Sequence, residues 1–99
     1  MKTEKAMLKV DGVEKEFVFK PLPWEDFPKL FGLMSKFEGV TKETFGQAIS
    51  EENVKTIMDL ELKMFTRSYP EMSVEDIKEI ILPNLFPLME VMVNVSLVQ

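Results

Sequence analysis

A chain of 99 residues with a net charge of −5, 45% hydrophobic and 29% charged, reads as one folded domain rather than a disordered chain. No basic cluster is denser than Lys63 and Arg67, so there is no footprint for a phosphate backbone and nucleic-acid binding is not expected. Histidine and cysteine are both absent, which removes the commonest general base, the commonest metal ligand, the thiolate nucleophile and any disulfide frame.

The first twenty residues predict a β-hairpin. KAMLKV and VEKEFVF flank Asp11-Gly12, a pair suited to the positive φ angles of a two-residue turn. That turn sets Val10 opposite Val13, Lys9 opposite Glu14 and Ala6 opposite Phe17. Ala6, Leu8, Val10, Val13, Phe17 and Phe19 then share one face, with Lys15 as the exception. Two strands are marginal alone, so this face needs a cover of helices or of another copy's strands.

Pro21 and Pro23 end the strand, and Glu25 and Asp26 stand where a helix N-terminus favours negative charge. Trp24, Phe27, Leu30, Phe31, Met34 and Phe37 follow at helical spacing. Pro28 confines the regular helix to a start near Phe27 or Pro28, and Gly39 is its terminator. VTKETFGQAI predicts a short helix started by Thr41. Ser50 starts a longer one, with Val54, Ile57, Met58, Leu62, Phe65 and Tyr69 on one face, Leu60 and Met64 beside it, and Pro70 as its stop. Ser73 caps the next helix, with Asp76 three positions on and Met72 and Ile77 placed as a hydrophobic staple. Pro83 breaks that helix.

Residues 83–99, PNLFPLMEVMVNVSLVQ, carry a single charge, Glu90. After Pro83 too few residues follow, with Glu90 and Asn94 among them, for the tail to be read as a bilayer span. As a helix from about Asn84 to Val95 with an extended or frayed end, it leaves only a narrow polar line through Glu90 and Asn94. As a strand, Val91, Val93, Val95 and Leu97 alternate with Met92, Asn94 and Ser96; the helix is the preferred reading. The fold expected is therefore α+β: a single domain, 1–99, in which an N-terminal β-hairpin (1–20) packs against a small bundle of three to four α-helices (24–98).

Glu75, Asp76 and Glu79 cluster on one helix, and Glu51 and Glu52 open another. Acids at helix starts are explained by the helix dipole, and no glycine-rich phosphate loop or nucleophile elbow is present. The chain is expected to be no enzyme, with no catalytic residues, no cofactor and no metal. Its eight Met and eight Phe exceed what so small an interior needs, so a leftover apolar patch should serve self-association or a partner. From apolarity alone the partner-binding candidates are Trp24, Phe27, Phe31, Phe86, Met89 and Met92. The charged N-terminus MKTEKAML lacks the apolar core of a signal peptide, and a cytoplasmic location is expected.

Three features in order resemble the tail assembly chaperones of long-tailed bacteriophages and related archaeal proviruses. FVFKPLPWEDFPKLFGL is similar to that family's strand, "F-K-P-L" and aromatic helix; YPEMSVEDIKEIIL to its "P-x-x-[ST]-x-E-x-[IL]" step; NLFPLMEVMVNV to its apolar closing helix. The resemblance spans about residues 6 to 95. It implies a non-enzymatic protein of the host cell cytoplasm that binds the long helical tape-measure protein, keeps it soluble and helps tail-tube subunits polymerise around it. It implies a protein partner; from the composition, homo-oligomerisation is expected, with no nucleic acid and no membrane. Two alternatives differ in class: a structural subunit of a phage tail or similar assembly, pairing through an open strand edge at residues 4 to 10, and a small acidic regulatory protein-binding module.

Overall fold

The computed structural model describes residues 2–97; residues 1, 98 and 99, at the limits of the expected domain, lie outside the described residues. An antiparallel hairpin, β1 (Glu4–Val10) and β2 (Val13–Phe19), precedes five helices: α1 (Phe27–Lys36), the single turn α2 (Phe45–Ala48), α3 (Glu51–Ser68), α4 (Val74–Ile81) and α5 (Leu85–Leu97). This is the expected α+β arrangement, a hairpin laid on a helical bundle.

The hairpin register sets Val10 against Val13, Lys9 against Glu14 and Ala6 against Phe17, as its turn demands. Asp11 and Gly12 both take positive φ, 53° and 79°, the geometry of a mirror-image two-residue turn. On the inner face Leu8, Phe17 and Phe19 are buried, whereas Val13 beside the turn stays exposed. The cover is supplied by this chain itself, with β1 against α5 and β2 against α3. Phe65 is the centre of the contact, its ring 5.0 Å from that of Phe19 and 5.5 Å from that of Phe17.

Helices α3 and α4 begin where their caps predict. Ser50 Oγ accepts from the Asn53 N–H at 3.1 Å, and Ser73 Oγ accepts from the Asp76 N–H at 3.2 Å. Gly39 ends the α1 region with a φ of 77°, accessible to glycine without strain. The short helix forms four residues later than its expected start. Thr41 and Thr44 bond to one another, Thr44 Oγ1 accepting from the Thr41 N–H at 2.9 Å, and α2 then runs from Phe45. Pro83 does end α4, but it does not turn the chain. Leu82–Asn84 form one 3₁₀ turn, and Ile81, Leu82 and Leu85 all keep right-handed helical angles. The path from Val74 to Leu97 is thus nearly continuous. By length and composition it could cross a bilayer, yet half of its most apolar window is buried inside the domain.

α5 is helical through Leu97, so Ser96 and Leu97 are not an extended end; the remainder of that expectation lies outside the described residues. Leu88, Val91, Met92 and Val95 are core, and Glu90 and Asn94 are the only exposed positions on the helix. The tail's apolarity is therefore largely that of an interior. Buried Ser96 accepts the Leu22 N–H at 3.1 Å, tying the end of α5 to the segment after β2.

On α3 the buried centre is Ile57, Leu60, Glu61, Met64 and Phe65, rotated from the expected face, with Met58 and Leu62 only partly covered. Glu61 is fully enclosed and neither carboxyl oxygen has a hydrogen-bond partner. Burial alone pushes this carboxyl well above the usual carboxylate range. The other buried acid, Asp26, has a partner: Lys63 Nζ lies 2.9 Å from its Oδ1. The hydrogen bond to Asp26 raises the Lys63 ammonium above its ordinary value.

Candidate functional site

α1 makes its principal helix contact with α3 rather than with α5, so α1 and α5 stand as two walls on one side of the domain. Between them lies an open cleft of about 350 Å³. Leu30, Leu33, Met34 and Phe37 of α1 and the turn after it line one wall, continued by Glu38 and Val40. Phe86, Met89, Glu90, Val93 and Asn94 line the α5 wall. Phe45 bridges the walls from α2, its ring 5.7 Å from Phe37 and 5.2 Å from Phe86.

The spacing of the residues explains the groove. On α1, Leu30, Leu33 and Phe37 turn inward, and Phe27, Phe31 and Met34 recur three and four positions apart along the adjacent strip. Trp24, in the 3₁₀ turn that leads into α1, extends this strip. On α5, Phe86, Met89, Glu90, Val93 and Asn94 follow the same helical rule. Trp24 is 81% exposed and Phe31 55%, a state that costs these large rings their burial energy and that the core does not require. The exposed strip and the groove share Met34.

The six candidates thus separate. Phe86 and Met89 line the groove; Trp24 and Phe31 stand free beside it, with Phe27, half-buried, between them. Met92 is a correction: it points into the core with no exposed surface, because the inner face of α5 passes through Leu88, Met92 and Val95. Met89 is itself nearly enclosed and offers only an edge. Met34, Val93 and the two carboxylates Glu38 and Glu90 were not among the partner-binding candidates, although Met34, Val93 and Glu90 each lie three or four residues from one that was, and Glu38 lies seven from Phe31. Glu38 is on the α1 side, Glu90 is on the α5 side, and no other charged residue among the described residues lines the groove.

The strand edge is less open than the sequence suggests. Asn84 Oδ1 accepts the Lys9 N–H at 3.0 Å and Asn84 Nδ2 donates to the Lys9 carbonyl at 2.9 Å, occupying both outward groups of that residue. Tyr69 Oη accepts the Val18 N–H at 2.8 Å on the opposite edge. Only Lys5 and Met7 keep the same outward alternation free of such a clamp on β1. The acids of α4 lie exposed, and no grouping of three potential metal ligands occurs among the described residues. Comparison with protein-family models, curated proteins and solved structures finds no match.

Proposed function

We propose that this protein is a non-enzymatic binding protein of the tail assembly chaperone type, which holds a long helical tape-measure protein in solution during virion assembly. The observation that supports this reading is the apolar groove between α1 and α5 with the exposed Trp24–Phe31 strip along its border. A helix laid in a groove is held by apolar side chains at i, i+3, i+4 and i+7, and α1 offers a wall about 15 Å long. Capture of a client requires apolar surface that is already exposed in the free protein, which the strip supplies. The side-chain clamps on Lys9 and Val18 lend less support to a structural subunit assembled through its hairpin.

The test is affinity purification from cells that naturally produce the protein, with mass spectrometry of what accompanies it. A long helical viral protein should co-purify with the wild type and be lost with Trp24→Ala/Phe31→Ala. Both side chains are exposed, so each change should alter stability by less than about 0.5 kcal/mol. The protein should be absent from purified particles. Presence in particles together with tail-tube subunits, and no such client, would overturn the proposal in favour of a structural role.

A further inference from the structure

The groove carries information about its occupant in its charges. Among the described residues, all charged groups that line it are carboxylates, one on each wall: Glu38 at the end of α1 and Glu90 in the middle of α5. Neither forms an ion pair among the described residues, where Lys63–Asp26 is the one pair within bonding distance. The lysines of α1 do not balance them, because Lys29 and Lys36 line the separate cleft between α1 and α3. The groove therefore has an apolar floor with an acid on each bank, in a chain of net charge −5; behind the α5 bank Lys5 shares a separate cleft with Glu90, and Lys2 Nζ donates to the Asn94 carbonyl at 3.1 Å. Its volume is at the lower end of ligand clefts, which span about 300–1,000 Å³. It lacks the convergent buried polar groups that orient a small molecule, and it opens onto the exposed strip of α1. These features fit a rod-shaped apolar ligand with positive edges.

We propose that the groove takes an amphipathic helix whose apolar stripe is flanked on both sides by lysine or arginine, those residues meeting Glu38 and Glu90. This rests on the helix-binding reading above and adds the chemistry of the ligand. The apolar stripe supplies affinity and the flanking charges supply selection, since charge complementarity governs partner choice and encounter rate more than binding strength. It also disfavours a second copy of this chain as the occupant, because another molecule of the same negative charge would be repelled.

The experiment uses the full chain, with Trp24 emission and calorimetry as readouts, and three synthetic helical peptides of about five turns. The first has a leucine stripe flanked by lysines, the second the same stripe flanked by glutamates, and the third the lysines with serine in place of leucine. The lysine–leucine peptide should bind, the glutamate–leucine peptide about tenfold or more weakly, and the serine peptide not measurably. The preference should shrink at high salt. Glu38→Lys/Glu90→Lys, both at exposed positions, should reverse it with an unchanged circular dichroism spectrum. Glu14→Lys/Glu16→Lys, the same change of net charge on β2, whose residues do not line the groove, should leave it in place.

Equal binding of the two leucine peptides would overturn the proposal. So would a hairpin variant that shifts the preference as far as the groove variant, or sedimentation showing the groove already filled by a second copy. A lost charge preference with client co-purification intact counts against this groove chemistry alone. A retained preference without a co-purifying client counts against the chaperone reading alone.

Discussion

Glu61 gives the sharpest test of the physical account of this fold. Its carboxyl is fully buried on α3 with both oxygens unpartnered, and burial raises its pKa well above the ordinary value. The sign follows from proton counting. Above about pH 4.3 the unfolded chain releases this proton, whereas the folded chain retains it. The native state then binds more protons than the unfolded state, so this group lowers stability as pH rises, by up to about 1.4 kcal/mol per pH unit until the folded group ionises. Below the unfolded pKa that electrostatic cost vanishes, and only the unmade hydrogen bonds remain. Glu61→Gln keeps the shape and cannot ionise, so its advantage over the wild type should be small at pH 4 and should grow toward pH 7.5. Glu61→Met also removes the unsatisfied polar atoms and should stabilise by about 1–3 kcal/mol at neutral pH. For a domain of this size that is at least about 4 °C in Tm. Urea titrations of the three proteins at pH 4, 6 and 7.5 measure it. A Glu61→Met variant less stable than wild type at pH 7.5, or a Glu61→Gln difference independent of pH, would refute the reasoning.

Two further changes test the packing. Asn84→Ala removes the two bonds to Lys9 and the bond from Asn84 Nδ2 to the Ile80 carbonyl, and should cost about 2–4 kcal/mol in denaturant titration. Because it also uncovers the edge of β1, light scattering should report more self-association than the wild type shows at equal concentration. Ser73→Ala removes the α4 cap and should cost about 1 kcal/mol, with a Tm lower by roughly 4–8 °C.

The hairpin and the starts of α1, α3 and α4 were legible in the sequence because local chemistry decides them. Asp11-Gly12 sets the strand register, Ser50 and Ser73 set helix starts, and the period of α1 separates its inward residues from its outward ones. What was not legible depends on how elements meet. Met92 and Phe86 are equally apolar, and only the seating of α5 on α3 and β1 decides that one is core and the other lines a groove. Glu61 was unreadable for a related reason: an acid in a helix is ordinarily solvated, and its burial follows from the rotation of α3 when the sheet and three helices pack on it. Pro83 ends α4 as expected, but that the chain then continues in nearly the same direction was not readable, because it depends on the helical angles kept on both sides of the proline.

The pairings that close this fold join distant parts of the chain: Lys9 to Asn84, Val18 to Tyr69, Leu22 to Ser96. At ribosomal rates of about 5–20 residues per second, some 4 to 15 s separate the synthesis of Lys9 from that of its clamp. During that interval the hairpin exists as two strands without the helix that covers them, and the rings of Phe17 and Phe19 wait for Phe65. Contacts of such long sequence separation slow folding as well as postponing it. Maturation of this small domain is therefore governed by its last-made helix, and a nascent chain halted before α5 would itself present the greasy surfaces that call for a chaperone.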